Sequence, residues 1–212
     1  MNLPNKITIT RICLSVLLLL LLLLPWSQLG VEFPVYQVVN INVNLKYIIA
    51  GIIFLIASTS DFLDGYLARK NNMVTDFGKV MDAIADKLLV NGLLIILAYD
   101  RIISIVIPVV IISRDIVVDS CKMISGQNGK VVAASILGKI KTICMMSGLT
   151  LTMFYNLPFE LIGFPVADIL LIAAVVLSVI SGCQYFYGVR DILFPKKKAK
   201  SRCICTATLS MP

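Results

Sequence analysis

Four aspartates that could act together lie in one short stretch of the sequence: Asp61, Asp64, Asp82 and Asp86. The first two are three residues apart and the last two are four apart, so on helices each pair shares a face. The chain has no histidine, which excludes imidazole metal sites and nucleophiles that depend on a histidine base. Carboxylate oxygens alone favour hard divalent cations, Mg²⁺ or Mn²⁺. Four carboxylates are more than one such ion usually takes, so the pattern predicts a two-ion site of the kind used in phosphoryl transfer.

Small and basic residues accompany these acids. Gly65 and Gly78 would let a ligand approach the backbone closely, and the planar guanidinium of Arg69 can bind a phosphate. A structural interpretation also exists, in which the acids form salt bridges with Arg69, Lys79 and Lys87 and the glycines let helices pack closely. The chemical interpretation is favoured for the acids, because of the surroundings in which they lie.

Those surroundings are strongly apolar. The 212 residues are 58% hydrophobic and 15% charged, and the mean hydropathy is +0.93. This composition is typical of an integral membrane protein. Carboxylates at membrane depth are costly unless they are paired, bind a metal or face a wet cavity, so they indicate a functional site.

Six apolar segments follow one another, each near the roughly 20 residues that cross a bilayer. They cover about residues 12–26, 45–60, 77–99, 102–122, 132–155 and 166–190, with a polar loop at 27–45. A short interfacial helix is predicted over residues 1–11. A secretory signal peptide is the alternative for the first segment, but no small-x-small cleavage site follows Pro25-Trp26, so we expect a retained span. The fold class is therefore an all-α integral membrane protein with six transmembrane helices and a short N-terminal interfacial helix.

The distribution of charge predicts the orientation. Six spans put both termini on one side, together with 17 of the 19 lysines and arginines, all except Lys46 and Arg101. The positive-inside rule makes that side cytoplasmic, so the termini and the acidic block face the cytosol from the cell membrane. The net charge of +7 suits anionic lipid headgroups, and no basic domain with interleaved aromatics indicates nucleic acid.

The chain is predicted to form one domain over residues 1–194, followed by a basic tail at 195–212 that we expect to be disordered. The six cysteines are scattered without a metal-type pair, so we interpret them as reduced thiols.

The acidic block has a fixed pattern, Asp61-x2-Asp64-Gly65-x2-Ala68-Arg69-x8-Gly78-x3-Asp82-x3-Asp86. It resembles the signature of the CDP-alcohol phosphotransferase family at every fixed position, and the six-helix architecture of that family covers the chain to about residue 194. The resemblance implies transfer of the phosphatidyl group from CDP-diacylglycerol to an alcohol, with release of CMP, by a homodimeric enzyme.

The resemblance also implies roles for the motif residues. Asp61, Asp64 and Asp82 would hold the metal ions on the pyrophosphate, and Asp86 would reach one ion and act as general base. The positions that would line the CDP pocket are Gly65, Ala68, Arg69 and Gly78.

Three cations point to the acceptor. Arg114 lies in the fourth apolar segment, and Lys139 and Lys141 lie at the start of the fifth. Placing cations inside a membrane costs free energy, so three of them near the cytoplasmic end of the helices suggest a bound anion. Snorkelling to lipid phosphates, or pairing of Arg114 with Asp115 or Asp119, is an equal alternative from charge alone.

Secondary motifs decide between these alternatives. Asn2-Leu3-Pro4-Asn5-x2-Thr8-x2-Arg11-Ile12 and Gly138-Lys139-x-Lys141-Thr142 resemble those of the bacterial phosphatidylglycerophosphate synthases in this family. The acceptor implied is glycerol 3-phosphate, bound through its phosphate by Arg114, Lys139 and Lys141. Ser113-Arg114-Asp115 departs from the Arg-Glu pair associated with that branch.

Two other functions remain as alternatives. The same chemistry could use phosphatidylglycerol, inositol, inositol phosphate or serine as the acceptor. The more distant alternative is a divalent-cation transporter. A transporter would need a polar path through the outer half of the membrane. Apart from the ends of the helices, the polar residue that spans two to six contain there is Asn91.

Overall fold

The computed structural model describes residues 3–30, 33–38, 41–70, 76–127, 136–157, 159 and 163–193. Within these ranges the chain forms six α-helices, one 3₁₀ turn and one β-hairpin. The helices are α1 (Leu3–Leu23), α2 (Leu45–Lys70), α3 (Asp76–Tyr99), α4 (Val106–Gln127), α5 (Ile136–Met153) and α6 (Val166–Leu193). The predicted helical architecture is confirmed, whereas the tail predicted at 195–212 lies outside the described residues.

Among the described residues, two helices are long and apolar enough to cross a membrane, α5 over its whole length and α6 over Val166–Arg190. Two further apolar segments, Ile9–Leu23 and Leu45–Ser60, are shorter. These helices indicate a membrane protein. The prediction of six transmembrane spans is not confirmed by the residues that the structure describes.

The helix α1 corrects the prediction of a separate interfacial helix. Residues 3–11 form the first turns of the same helix that continues to Leu23. Pro4 is compatible with a first helical turn, and no further proline or glycine occurs before Pro25, so nothing in the sequence breaks the helix between them.

The loop predicted at 27–45 contains a β-hairpin. Strand β1 (Val35–Val38) pairs antiparallel with β2 (Ile41–Asn44). Valine, isoleucine and tyrosine favour strands, a signal that the polar composition of the segment concealed. Asn44 then caps α2, because its side-chain oxygen accepts a hydrogen bond from the Lys46 amide at 2.9 Å.

The contacts beside the hairpin fix the direction of the helices. Lys46 Nζ donates to the Leu22 carbonyl at the end of α1 over 3.4 Å. The Tyr47 hydroxyl donates to Asp100, just after α3, at 2.6 Å. The Asn44 amide donates to the Tyr155 hydroxyl, just after α5, at 2.9 Å. The start of α2 therefore lies beside the ends of α1, α3 and α5.

Asn156 joins the end of α5 to the start of α6. Its backbone is left-handed with φ 55°, as is that of Tyr155, so the chain does not continue the helix beyond Met153. Its side-chain amide donates to the Phe164 carbonyl at 2.8 Å, and its side-chain oxygen accepts from the Ala167 amide at 3.1 Å. The latter bond satisfies one of the free amides at the start of α6.

The turn between α3 and α4 moves the start of α4 from the predicted residue 102 to Val106. Arg101 is left-handed with φ 61°, and the Ile102 and Ile103 amides donate to the Leu97 carbonyl at 2.9 and 3.3 Å. These two residues therefore cap α3 instead of beginning α4.

An apolar core fills the hairpin end of the molecule. The helix α1 packs against α2 and α3, and α6 packs against α4 and α5. Buried side chains recur every three or four residues on each helix. Those that lie near zero exposure include Leu18, Phe54, Leu89, Leu93, Leu97, Ile111, Leu149 and Leu171. The other end, which holds the last turns of α2, α4 and α6 and the first turns of α3 and α5, carries the acidic motif.

Candidate active site

The acidic motif occupies the end of α2 and the start of α3. The helix α2 continues unbroken from Leu45 to Lys70 and includes Asp61 and Asp64. The helix α3 begins at Asp76 and includes Asp82 and Asp86. The helix α2 thus continues past the apolar segment predicted at 45–60. Both pairs of acids therefore have the helical backbone that places each pair on one face.

The other motif positions extend these faces. Gly65 and Ala68 follow Asp61 by four and seven residues on α2, and Arg69 is next in the chain. Gly78, which is half-buried, precedes Asp82 by four residues on α3. Residues at these intervals form a stripe along a helix. The motif is thus two stripes, one at the end of each helix.

The donor chemistry of these stripes fits a hard divalent cation, since the motif contains four carboxylates and no nitrogen or sulfur ligand. The half-buried side chain of Asp86 is described, and those of Asp61, Asp64 and Asp82 lie outside the described part. Among the described side chains, no group of three or more acids or cysteines could hold a metal ion. The metal site therefore stays a prediction that rests on the motif.

Asp86 is linked to the proposed acceptor residues through Lys141. The Lys141 ammonium interacts electrostatically with Asp86 and donates a hydrogen bond to Asp115 Oδ1 at 2.7 Å. Its side chain is only 4% exposed. This nearly buried ammonium joins α5 to α4, with Asp86 of α3 within its electrostatic reach.

Arg114 completes this cluster from α4. Its Nη1 donates to Asp115 Oδ1 at 2.9 Å, its Nε to the Ser178 carbonyl at 3.0 Å, and its Nη2 to Ser181 Oγ at 2.6 Å. Gly182 leaves room for the arginine stem, because an added Cβ there would lie 3.0 Å from Arg114 Cγ. The guanidinium thus holds α4 against α6 and shares Asp115 with Lys141.

Lys139 does not join this cluster. It is exposed, and it precedes Lys141 by two residues on α5, which places the two lysines on nearly opposite sides of the helix. Of the three residues predicted to bind the acceptor phosphate, the structure brings Arg114 and Lys141 together. The alternative pairing of Arg114 with Asp115 is also observed.

A second set of charges lies one turn along α4. Asp119 pairs with Lys87 on α3 and with Lys122, whose ammonium is 3.8 Å away. Lys122 also lies over the ring of Tyr185, 5.5 Å from its centre. In the described contacts, Lys87 therefore pairs with an acid outside the motif. This pairing does not support the alternative in which Lys87 forms a salt bridge with the motif aspartates.

Several residues of this site were not predicted from the sequence. On α6, Arg114 contacts Ser178, Ser181 and Gly182. The two serines are fully buried. Small and hydroxyl residues at intervals of three or four are typical of close helix packing in membranes, and this spacing was the available signal. Asp115 was considered as a partner of Arg114 and not as a bridge to Lys141.

Comparison with known proteins extends these observations. Residues 1–180 match the family model described as CDP-alcohol phosphatidyltransferase. The chain is 43% identical over 187 residues to a Bacillus subtilis protein named CDP-diacylglycerol–glycerol-3-phosphate 3-phosphatidyltransferase, covering 87% of this chain and 93% of that protein. A protein of the same name from Mycoplasma genitalium is 39% identical, over 72% of this chain and 65% of that protein. Another from Rickettsia bellii is 32% identical, over 87% of this chain and 93% of that protein.

The match covers α1 to α5 and the first half of α6, and so includes both acidic stripes and the Arg114–Asp115–Lys141 cluster. A family model that spans most of the chain, together with the complete eight-position motif on two consecutive helices, establishes the relationship. The chain belongs to the CDP-alcohol phosphatidyltransferase family.

Proposed function

We propose that the protein transfers the phosphatidyl group from CDP-diacylglycerol to glycerol 3-phosphate, giving phosphatidylglycerophosphate and CMP. The observation that supports this function best is the pair of cations, Arg114 and the nearly buried Lys141, that meet at Asp115, with Asp86 of the acidic motif within electrostatic reach of Lys141. A cationic site next to the motif suits an acceptor that carries a phosphate. The relatives named for the same reaction add to this support.

The motif would bind the nucleotide end of the lipid substrate. Asp61, Asp64, Asp82 and Asp86 are the residues that would hold Mg²⁺ or Mn²⁺, with two ions expected from four carboxylates. When bound, such ions neutralise the charge that develops on transferring and leaving phosphate oxygens. The positions assigned to CDP are Gly65, Ala68, Arg69 and Gly78, where glycine and alanine leave space and the guanidinium can bind a phosphate.

The acceptor would bind through its phosphate to Arg114 and Lys141, with Lys139 as an outer contact. Two cations share one carboxylate in this cluster, which leaves a net positive charge. A charge in a poorly hydrated site attracts an anion more strongly than it would in water. This arrangement favours glycerol 3-phosphate over a neutral alcohol such as inositol.

Asp86 is the residue proposed as general base. It would accept the proton of the glycerol hydroxyl while that oxygen bonds to the phosphorus that carries diacylglycerol. The bond from this phosphorus to the CMP phosphate then breaks, and CMP leaves. Positioning the hydroxyl between Asp86 and the cation pair would supply much of the acceleration.

The test is CMP release by the purified full chain in detergent, with CDP-diacylglycerol and each acceptor offered separately. We expect release with glycerol 3-phosphate in Mg²⁺ or Mn²⁺, and none after EDTA treatment until a divalent ion is returned. Release with phosphatidylglycerol, inositol, inositol phosphate or serine instead would keep the chemistry and change the acceptor. No release with any acceptor, from protein that is still folded, would contradict the function.

The two lysines of α5 provide a matched pair for the acceptor site. Lys141→Met should raise the KM for glycerol 3-phosphate by tens-fold, the size expected when a charge-assisted contact of roughly 1.5–3 kcal/mol is lost. Lys139→Met should raise it less, because Lys139 is exposed and lies away from Arg114. Steady-state kinetics at saturating CDP-diacylglycerol measure both values. An equal effect, or a larger one at Lys139, would show that Lys141 is not a phosphate contact.

The setting of the enzyme is part of the proposal. We infer that all six helices span the cell membrane as one domain over residues 1–194, with both termini and the active site on the cytoplasmic side. The direction of the helices supports this, since Lys46 and Arg101 lie at the hairpin end, opposite to the motif. A homodimer is inferred from the family alone.

A further inference from the structure

A carboxylate lies inside the cation cluster that is proposed to bind the acceptor phosphate. One oxygen of Asp115 accepts hydrogen bonds from both Arg114 Nη1, at 2.9 Å, and Lys141 Nζ, at 2.7 Å. An acid at this position competes with an anionic ligand for the same two cations. Its presence therefore needs a reason other than ligand binding.

The two cations depend on Asp115 to different extents. Arg114 has independent anchors on α6, the Ser178 carbonyl and Ser181 Oγ, and its stem is confined against Gly182. Within the described part of the chain, the hydrogen bond from the Lys141 ammonium goes to Asp115. Without Asp115, the nearly buried Lys141 ammonium would lose the hydrogen bond that holds it toward Arg114.

We propose that Asp115 is a positioning residue, which holds Lys141 beside Arg114. The proposal rests on the function argued above, because it assigns Lys141 to the acceptor phosphate. In this arrangement one carboxylate keeps the two cations together for the acceptor.

A merely structural role for Asp115 makes different predictions. Its bonds connect α4 to α5, so their loss could loosen the packing of these helices. Loosened packing would affect the KM values for both substrates, and it would do so whether or not Lys141 is present. A positioning role instead affects the acceptor selectively and operates through Lys141.

The experiment compares Asp115→Asn, Asp115→Glu, Lys141→Met and the double variant Asp115→Asn/Lys141→Met in the full-length protein. Asp119→Asn is the matched control, since Asp119 also pairs with two lysines one turn further along α4. Each variant is assayed for the KM of glycerol 3-phosphate, the KM of CDP-diacylglycerol, kcat and thermal stability.

We expect Asp115→Asn to raise the glycerol 3-phosphate KM roughly ten-fold or more, with the CDP-diacylglycerol KM within about two-fold of wild type. Asp115→Glu should recover most of the loss, because it restores the carboxylate. In the Lys141→Met background, Asp115→Asn should have little further effect on the glycerol 3-phosphate KM. This coupling is the signature of one residue acting through the other.

Three results would overturn the proposal. One is an equal rise in both KM values, and another is an additive effect of the two substitutions. The third is an Asp115→Asn enzyme with wild-type kinetics. Failure of the underlying function is distinguishable, because it would appear in the wild type as an absence of CMP release with glycerol 3-phosphate.

Discussion

Replacing Asp86 by asparagine should reduce the rate of CMP release by about a hundred- to ten-thousand-fold. A positioned general base contributes roughly 10²- to 10⁴-fold, and asparagine keeps the shape of the side chain while losing its ability to take a proton. Asp86 lies on α3 within the electrostatic reach of Lys141, so the change alters the chemistry at the point where both substrates would meet. The measurement is single-turnover CMP release with saturating glycerol 3-phosphate.

The binding of CDP-diacylglycerol separates this effect from loss of the metal site. Asp86→Asn should retain more of this binding than Asp61→Asn, because Asp61 is assigned to the metal ions alone. Divalent-dependent binding of CDP-diacylglycerol, measured for both variants, tests the difference. Near-normal turnover of Asp86→Asn would show that another group is the base.

The sequence predicted the elements of the motif well because their positions depend on local periodicity. The stretch 77–99 was predicted as a helix from its apolar run, and α3 occupies Asp76–Tyr99. The acids at 82 and 86 share a face on any such helix. No contact from a distant part of the chain is required for this inference, so it could be made without a structure.

The errors occurred where hydrogen bonds from neighbouring elements decide the boundary. Residues 102 and 103 are isoleucines that continue an apolar run, but their amides cap α3 through the Leu97 carbonyl. Asn156 falls just after the segment predicted at 132–155, and its side chain joins α5 to α6. Hydropathy does not distinguish an apolar residue inside a helix from one that caps the helix before it.

The cation cluster was only partly predictable for a related reason. Charge and depth indicated Arg114 and Lys141, whereas all of their partners except Asp115 for Arg114 come from other helices. Ser178 and Ser181 follow Arg114 by 64 and 67 residues. Lys139 and Lys141 are nearly equivalent in the sequence, and the structure separates them, since the first is exposed and the second is bonded to Asp115.

Replacing Arg114 by lysine should raise the KM for glycerol 3-phosphate about a hundred-fold even though the charge is conserved. Three guanidinium nitrogens have three different partners, the Ser178 carbonyl, Ser181 Oγ and Asp115. A lysine ammonium is a single point on a flexible stem and cannot span these partners together. The bonds from α4 to α6 would be lost with the cation pair, so the unfolding temperature should fall as well.

The control for this change is Arg190→Lys. Arg190 is exposed, and it lines the same cavity beside α4 and α6 as Arg114. It lies outside the acceptor cluster. Its replacement should leave the KM within about two-fold of wild type. Loss of thermal stability by Arg114→Lys with an unchanged KM would limit Arg114 to holding the helices together. A raised KM with the thermal stability of wild type would make it a contact of the acceptor alone. The three bonds that the guanidinium makes at once lead us to expect both effects, because the same group orders the helices and presents the charge.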